Sequence, residues 1–85
     1  MTHRITLTVT AVKERERLDE TARERIDRAV RSLGETPRPP GVKKLAGSQR
    51  DWRIRVGDYR VLYEIDDQQE VITIWRIAHR RQAYR

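Results

Sequence analysis

Four arginines and a basic tail are the residues of this chain whose types and spacing could do chemistry. Arg53 and Arg55 alternate within a segment of strand composition, Arg60 follows across Gly57-Asp58, and Arg76 stands in a later segment of the same kind. The planar fork of arginine grips phosphate bidentately and stacks on bases, so a cluster of them is a phosphate-binding surface. The segment from Arg76 to Arg85 holds four Arg, one His, one Tyr and no acid, and reads as ligand-facing. Its His79 belongs to the side-chain type best suited to carry a proton at physiological pH and is the candidate proton carrier. Lys43 and Lys44 add a further basic pair, and Arg80, Arg81 and Tyr84 complete the candidate set. There is no cysteine, which excludes thiol nucleophiles, thiolate metal sites and disulfide scaffolds together. With His3 the only companion of His79, no metal site is expected.

Charge supports a polyanionic partner. The chain carries 19 Lys and Arg against 13 Asp and Glu, a net of +6, and 16 of the cations are Arg. The excess is uneven: residues 1–35 carry eight basic and seven acidic side chains, a net of +1, and residues 36–85 carry eleven and six, a net of +5. A sequence pI near 10.5 with this asymmetry favours nucleic acid over a neutral metabolite. No run approaches the roughly 20 apolar residues of a membrane span, and residues 1–4 lead into an alternating segment rather than a signal-peptide core. A soluble, cytoplasmic protein without a small-molecule cofactor is expected, its 85 residues and 10.2 kDa forming a single domain over 1–85.

The elements that must position the arginines follow from periodicity. Ile5, Leu7 and Val9 alternate with threonines, which predicts a strand over 4–9. Thr10 is placed to cap a helix. Val12, Leu18, Ala22, Ile26, Ala29, Val30 and Leu33 then recur at helical spacing up to Gly34, a typical residue just past a helix end. Asp19 makes a second N-cap, so a helix hairpin over about 11–17 and 20–33 is expected, its outer face carrying Glu14 and the other interleaved charges without chemistry of their own. Thr36 to Gly41 is a stiff Pro-rich connector. Strands are expected at 50–56, 59–65 and 71–77.

Gly57-Asp58 suits a two-residue hairpin turn, which pairs Val56 with Tyr59, Arg55 with Arg60, Ile54 with Val61 and Arg53 with Leu62. Trp52, Ile54, Val56, Tyr59, Val61, Tyr63 and Ile65 then share one face, the core face. Arg53, Arg55 and Arg60 share the other, and if Ile65 faces Val71 across the next loop, Arg60 faces Arg76. Like charges in opposed positions cost stability unless something compensates them. Phosphate is one compensator; guanidinium stacking and acids such as Glu64 are others. Trp52 and Trp75 are expected in the core rather than as base-stacking platforms.

The strand, two helices and Pro-rich link, followed by Lys43-Lys44-Leu45, then Trp52-Arg53-Ile54-Arg55-Val56-Gly57-Asp58-Tyr59-Arg60-Val61-Leu62-Tyr63 and His79-Arg80-Arg81-Gln82-Ala83-Tyr84-Arg85, resemble the RelE/ParE toxin superfamily of toxin–antitoxin modules, more its RelE branch than its ParE branch. The resemblance implies an α+β fold, with an N-terminal strand and helix hairpin packed on a curved antiparallel sheet of about four strands, similar to the microbial RNases. It implies a ribosome-dependent mRNA endoribonuclease acting by metal-free attack of the ribose 2′-hydroxyl, with the ribosome, mRNA and a cognate antitoxin as partners. By position it carries over the basic residues Arg53 and Arg55, the strand arginine Arg60, the tail arginine Arg80 and the tyrosine Tyr84. With the residues read from the chain itself, the candidate site is catalytic Arg60, Arg80, Tyr84 and His79, with RNA or phosphate binding by Arg53, Arg55, Lys43, Lys44, Arg76 and Arg81. The best-known RelE has lysines where this chain has Arg53 and Arg55, and its tail is two residues longer between the matched arginine and tyrosine. The alternative readings are a ParE-like protein that inhibits DNA gyrase by binding, and a decayed toxin that keeps only antitoxin binding.

Overall fold

A computed structural model describes residues 2–82. Its elements run β1 (Arg4–Leu7), α1 (Val9–Glu16), α2 (Glu20–Glu35), β2 (Lys43–Lys44), β3 (Asp51–Val56), β4 (Tyr59–Asp66) and β5 (Val71–His79). The strands form one five-stranded sheet in the order β1-β5-β4-β3-β2. β1 runs parallel to β5, and every other neighbouring pair is antiparallel. The α+β class and the helix hairpin are as expected; the fifth strand is the short Lys43–Lys44 piece, paired with Arg53 and Trp52.

The first strand ends at Leu7 rather than continuing to Val9. Thr8, not Thr10, is the N-cap: its side chain accepts from Ala11 N–H at 3.2 Å, so the helix begins two residues early. Asp19 caps α2 as expected, accepting from Ala22 N–H at 2.8 Å. Gly34 lies inside α2, not past it. An added Cβ would stand 3.0 Å from the His3 carbonyl, and the Gly34 carbonyl accepts from His3 N–H at 2.8 Å. The glycine therefore permits the helix to approach the segment leading into β1, a role that its position near a helix end disguises.

The core lies between the helices and one sheet face. Ala11, Ile26, Val30 and Leu33 meet Ile54, Val61, Tyr63, Ile65, Ile72, Ile74 and Ile77, with Trp52, Val56 and Tyr59 partly buried at its margin. These include all seven residues assigned to that face by the hairpin pairing. Tyr63 is fully buried and spends its hydroxyl on the Pro37 carbonyl at 2.7 Å; burial pushes that hydroxyl above its ordinary pKa. The Pro-rich connector is thereby pinned to the sheet. Arg15 and Asp27 join the two helices through paired bonds of 2.7 Å.

The β4–β5 register differs from expectation. Asp66 faces Val71 and Ile65 faces Ile72, and the register shifts between Leu62 and Tyr63, with Tyr63 opposite Ile74 and Leu62 opposite Arg76. Trp75 is the extra residue of that bulge. Arg60 consequently faces Ala78, not Arg76. Half of the difference is a one-residue slip before β5 and half is the inserted Trp75, which shifts the phase of the core face so that Ile72 and Ile74 are followed by Ile77.

Candidate nucleic-acid interface

Directly opposed residues and residues two apart share a face of a sheet. Pairing lines up Lys43, Arg53, Leu62 and Arg76 in one row across four strands, and Arg55, Arg60 and Ala78 in the next. This face is the one turned away from the helices. Leu62 and Ala78 are buried on it, yet lie outside the helical core, which places apolar floor beneath the long arginine stems.

Arg60 is the centre of the arrangement. It is only 7% exposed, directly opposite Arg55. Its Nη1 donates to the Arg80 carbonyl at 3.1 Å, while Arg80 N–H donates to the Asp58 carbonyl at 2.8 Å. The hairpin turn thus holds the segment after β5, and that segment orients Arg60. Burial, and after it the charges of Arg53, Arg55 and Arg80, pulls Arg60 below the ordinary guanidinium pKa. The protonated form is disfavoured by like charges, the electrostatic condition that a bound anion relieves. Lys43, Arg53 and Arg55 line a shallow hollow with Gly41 beside it.

The remaining candidates divide. Arg76 shares the face, but its Nε donates to Glu14 Oε2 at 2.8 Å, so it is engaged by α1. Arg81 is exposed and lines a separate hollow with Arg17 and Arg76. Lys44 lies beside Trp52, on the core side of the strand. His79 also falls on that side: it faces Tyr59, with the rings edge-on at 5.5 Å. Its Nδ1 accepts from Arg81 N–H at 3.3 Å, so it shapes the turn that follows β5. Tyr84 lies outside the described residues.

Two residues that position the site escaped sequence reasoning. β1 stops beside Ile74, and α1 takes its place along the rest of β5; Glu14 Oε1 there accepts from Ile77 N–H at 2.7 Å, closing a strand edge. Nothing distinguishes Glu14 from its neighbours in a run of interleaved charges. Asp51, two residues before Arg53, accepts from Trp75 Nε1 at 3.1 Å and from Ser48 Oγ at 2.7 Å. The bulge therefore turns the Trp75 indole to the arginine face, contrary to the expectation that it is core. Trp52 does pack at the core margin, with the Arg38 guanidinium 5.0 Å from its ring centroid.

A family model described as the ParE toxin of type II toxin–antitoxin systems matches residues 5–84. No curated protein matches the chain. Among solved structures, the archaeal RelE–RelB complex from Pyrococcus horikoshii OT3 is similar at 31% identity, covering 98% of this chain and 100% of that one with a TM-score of 0.85. The RelBE2 toxin–antitoxin complex from Mycobacterium tuberculosis is similar at 25% identity, covering 93% and 99% with a TM-score of 0.82. The isolated Escherichia coli RelE toxin shares the fold at 24% identity, covering 91% and 83% with a TM-score of 0.80.

Proposed function

The chain belongs to the ParE toxin family of the RelE/ParE superfamily, and from that premise we propose that it is a cytoplasmic toxin that cleaves mRNA on the ribosome and is held in check by a cognate antitoxin. The observation that carries the nuclease reading is Arg60, buried to 7% exposure opposite Arg55 and tied to the Arg80 carbonyl. A surface that only needed positive charge would leave its arginines solvated.

The reaction is attack of a ribose 2′-hydroxyl on the adjacent phosphate, which expels the 5′-oxygen and leaves a 2′,3′-cyclic phosphate. DNA, lacking the 2′-hydroxyl, is not a substrate. Arg53, Arg55 and Arg60 hold the phosphoryl oxygens and offset the charge that develops on them, an effect of roughly 3–4 kcal/mol per well-placed donor. Arg80 faces the leaving oxygen, and Tyr84 orients the neighbouring nucleotide. Lys43 and Arg81 extend the track for the backbone, and Arg76, anchored by Glu14, borders it. Arginine stays protonated and makes no base, so the chemistry leans on charge stabilisation and on alignment of the mRNA by the ribosome, worth several kcal/mol. His79 serves on this reading as a positioning residue for the turn that carries Arg80.

A second reading, gyrase inhibition by binding, is favoured by the ParE description of the matching family. The two separate on induction in cells with mapping of new mRNA 5′ ends against an Arg60→Ala control. Cuts inside translated codons that vanish in Arg60→Ala support the nuclease; growth arrest with gyrase–DNA breaks and intact mRNA refutes it.

A further inference from the structure

Among the described residues, Trp75 is the one tryptophan or tyrosine set on the arginine face, and nothing in the reaction above uses it. It enters as the extra residue of the β5 bulge, between Ile74, opposite Tyr63, and Arg76, opposite Leu62. Its Nε1 donates to Asp51 Oδ1 at 3.1 Å, and Asp51 stands on β3, with β4 lying between. Strands two places apart in a sheet are separated by roughly 10 Å, so the indole crosses β4 over Leu62 and Glu64. Leu62 is accordingly buried although it faces away from the helices. The Trp75 ring itself is half-buried: one face covers the sheet and the other is turned outward.

Both ends of this indole are fixed. The bulge sets its backbone, and Asp51 holds its tip while the other carboxylate oxygen takes Ser48 Oγ at 2.7 Å. Ser48 Oγ in turn accepts from the Arg50 and Asp51 N–H groups at 3.2 and 3.1 Å. A ring held in this way loses little freedom when it receives a partner, and with its N–H committed to Asp51 it offers only its π-face. Charge is divided around it. Lys43, Arg53 and Arg76 stand in the row on its hairpin side, with Arg55 and Arg60 in the row beyond, and Asp51 and Glu64 stand in the row on the opposite side. A phosphate is drawn to the first side and repelled by the second. Rows two residues apart are separated by roughly 7 Å along the strands, so one nucleotide reaches from the arginines to the ring. We propose that the outward face of Trp75 is a stacking platform for one base of the RNA, a purine in preference to a pyrimidine, whose phosphate rests on Arg53 and Arg60. Stacking on a π-face accepts any base and favours the larger ring system, and Glu64 gives an acceptor to the exocyclic amine of adenine or guanine. That the base comes from RNA rests on the nuclease reading above; the platform does not.

The test uses the full chain, ¹⁵N-labelled, with 2′-O-methyl triadenylate, which has no 2′-hydroxyl nucleophile and stays intact, with the matching triuridylate, and with inorganic tripolyphosphate. The adenylate is expected to move the indole N–H resonance of Trp75 by its ring current while that of Trp52, at the core margin, stays in place. Tripolyphosphate should move the amides of Arg53 and Arg60 and leave the Trp75 indole still. The uridylate should bind a few-fold more weakly than the adenylate. Trp75→Leu keeps an apolar cover over Leu62 but has no π-face, and should weaken the adenylate by about tenfold or more with tripolyphosphate binding unchanged. Trp75→Phe keeps a π-face and should retain most of the affinity. Circular dichroism reads the folding of both variants, and if Trp75→Leu does not fold, the indole shift and the ranking of the three ligands in the parent decide. The proposal is overturned if the adenylate leaves the Trp75 indole unmoved, if tripolyphosphate moves it as far, if the uridylate binds as tightly, or if folded Trp75→Leu binds the adenylate as the parent does. Stacking on Trp75 in a protein that cuts no mRNA would uphold the platform and remove the nuclease reading; Arg60-dependent cutting with an unmoved indole would do the reverse.

Discussion

Glu14 holds the upper half of β5, and removing it tests how the arginine face is framed. Its Oε1 takes Ile77 N–H at 2.7 Å and its Oε2 takes Arg76 Nε at 2.8 Å. The Arg76 side chain is 33% exposed and that of Glu14 is 19% exposed, so solvent discounts the ion pair to about 0.5–1 kcal/mol. Ile77 is 3% exposed, and water replaces its lost acceptor poorly; a bond to a charged acceptor in that setting is worth about 1.5–3 kcal/mol. Glu14→Ala is thus expected to cost about 2–4 kcal/mol, a fall in Tm of roughly 10–25 °C for a domain of this size. Glu14→Gln keeps one carbonyl oxygen but sets an amide donor near Arg76, and should cost about 1–2 kcal/mol. Urea unfolding followed by circular dichroism reads both, and native-state exchange of the Ile77 amide assigns the loss. The reasoning fails if Glu14→Ala costs less than about 0.5 kcal/mol or leaves Ile77 exchange unchanged.

Other expectations follow from the same geometry. Arg60→Ala should lower mRNA cleavage by about 10²–10³-fold while the protein stays folded, as read by primer extension and circular dichroism. Arg53→Lys and Arg55→Lys keep charge but lose the fork, so cleavage should fall modestly with no new pH dependence; higher activity with a shifted pH profile would show that proton transfer occurs there. Tyr63→Phe should cost about 1–2 kcal/mol in thermal unfolding, because the Pro37 carbonyl loses its donor. The hydrogen bond from Arg15 holds the Asp27 carboxyl below its ordinary 3.8; stability from this pair is present above that value and drains as pH falls through the folded pKa. Asp27→Asn should accordingly flatten the acid limb of an unfolding-versus-pH curve relative to the parent.

Much of the fold was legible because local rules acted alone. The pairing from Val56–Tyr59 to Arg53–Leu62 needed only a two-residue turn, and it is as observed. Asp19 announced α2 by capping chemistry. What stayed hidden depended on distant partners. Thr8 and Thr10 are equivalent by type, and β1 ends where its register with Ile74 ends. Gly34 looked like a terminator because its packing partner, the His3 carbonyl, lies far away in sequence. A one-residue slip at the loop before β5 and the bulge at Trp75 together moved Arg76 one row from Arg60 and set His79 opposite Tyr59, so the arginine face was foreseen while its neighbours on β5 were not. Lys43 was selected for its charge; its place beside Arg53 came from a two-residue strand too short to show alternation.

The placement of β5 has a consequence for how the protein is made. Among the described residues β5 is the last strand in chain order, yet in space it stands between β1 and β4. During synthesis β1 emerges well before its strand partner, because the residues that pair with Arg4–Leu7 are Val71–Ile74. Ile72, Ile74 and Ile77 also supply part of the core, so the helices have an incomplete floor until then. Such non-local pairing slows folding and delays its completion. Arg60 meets the Arg80 carbonyl only after β5 has docked, so the arginine site is assembled later than the β3–β4 hairpin that supplies Arg53, Arg55 and Arg60.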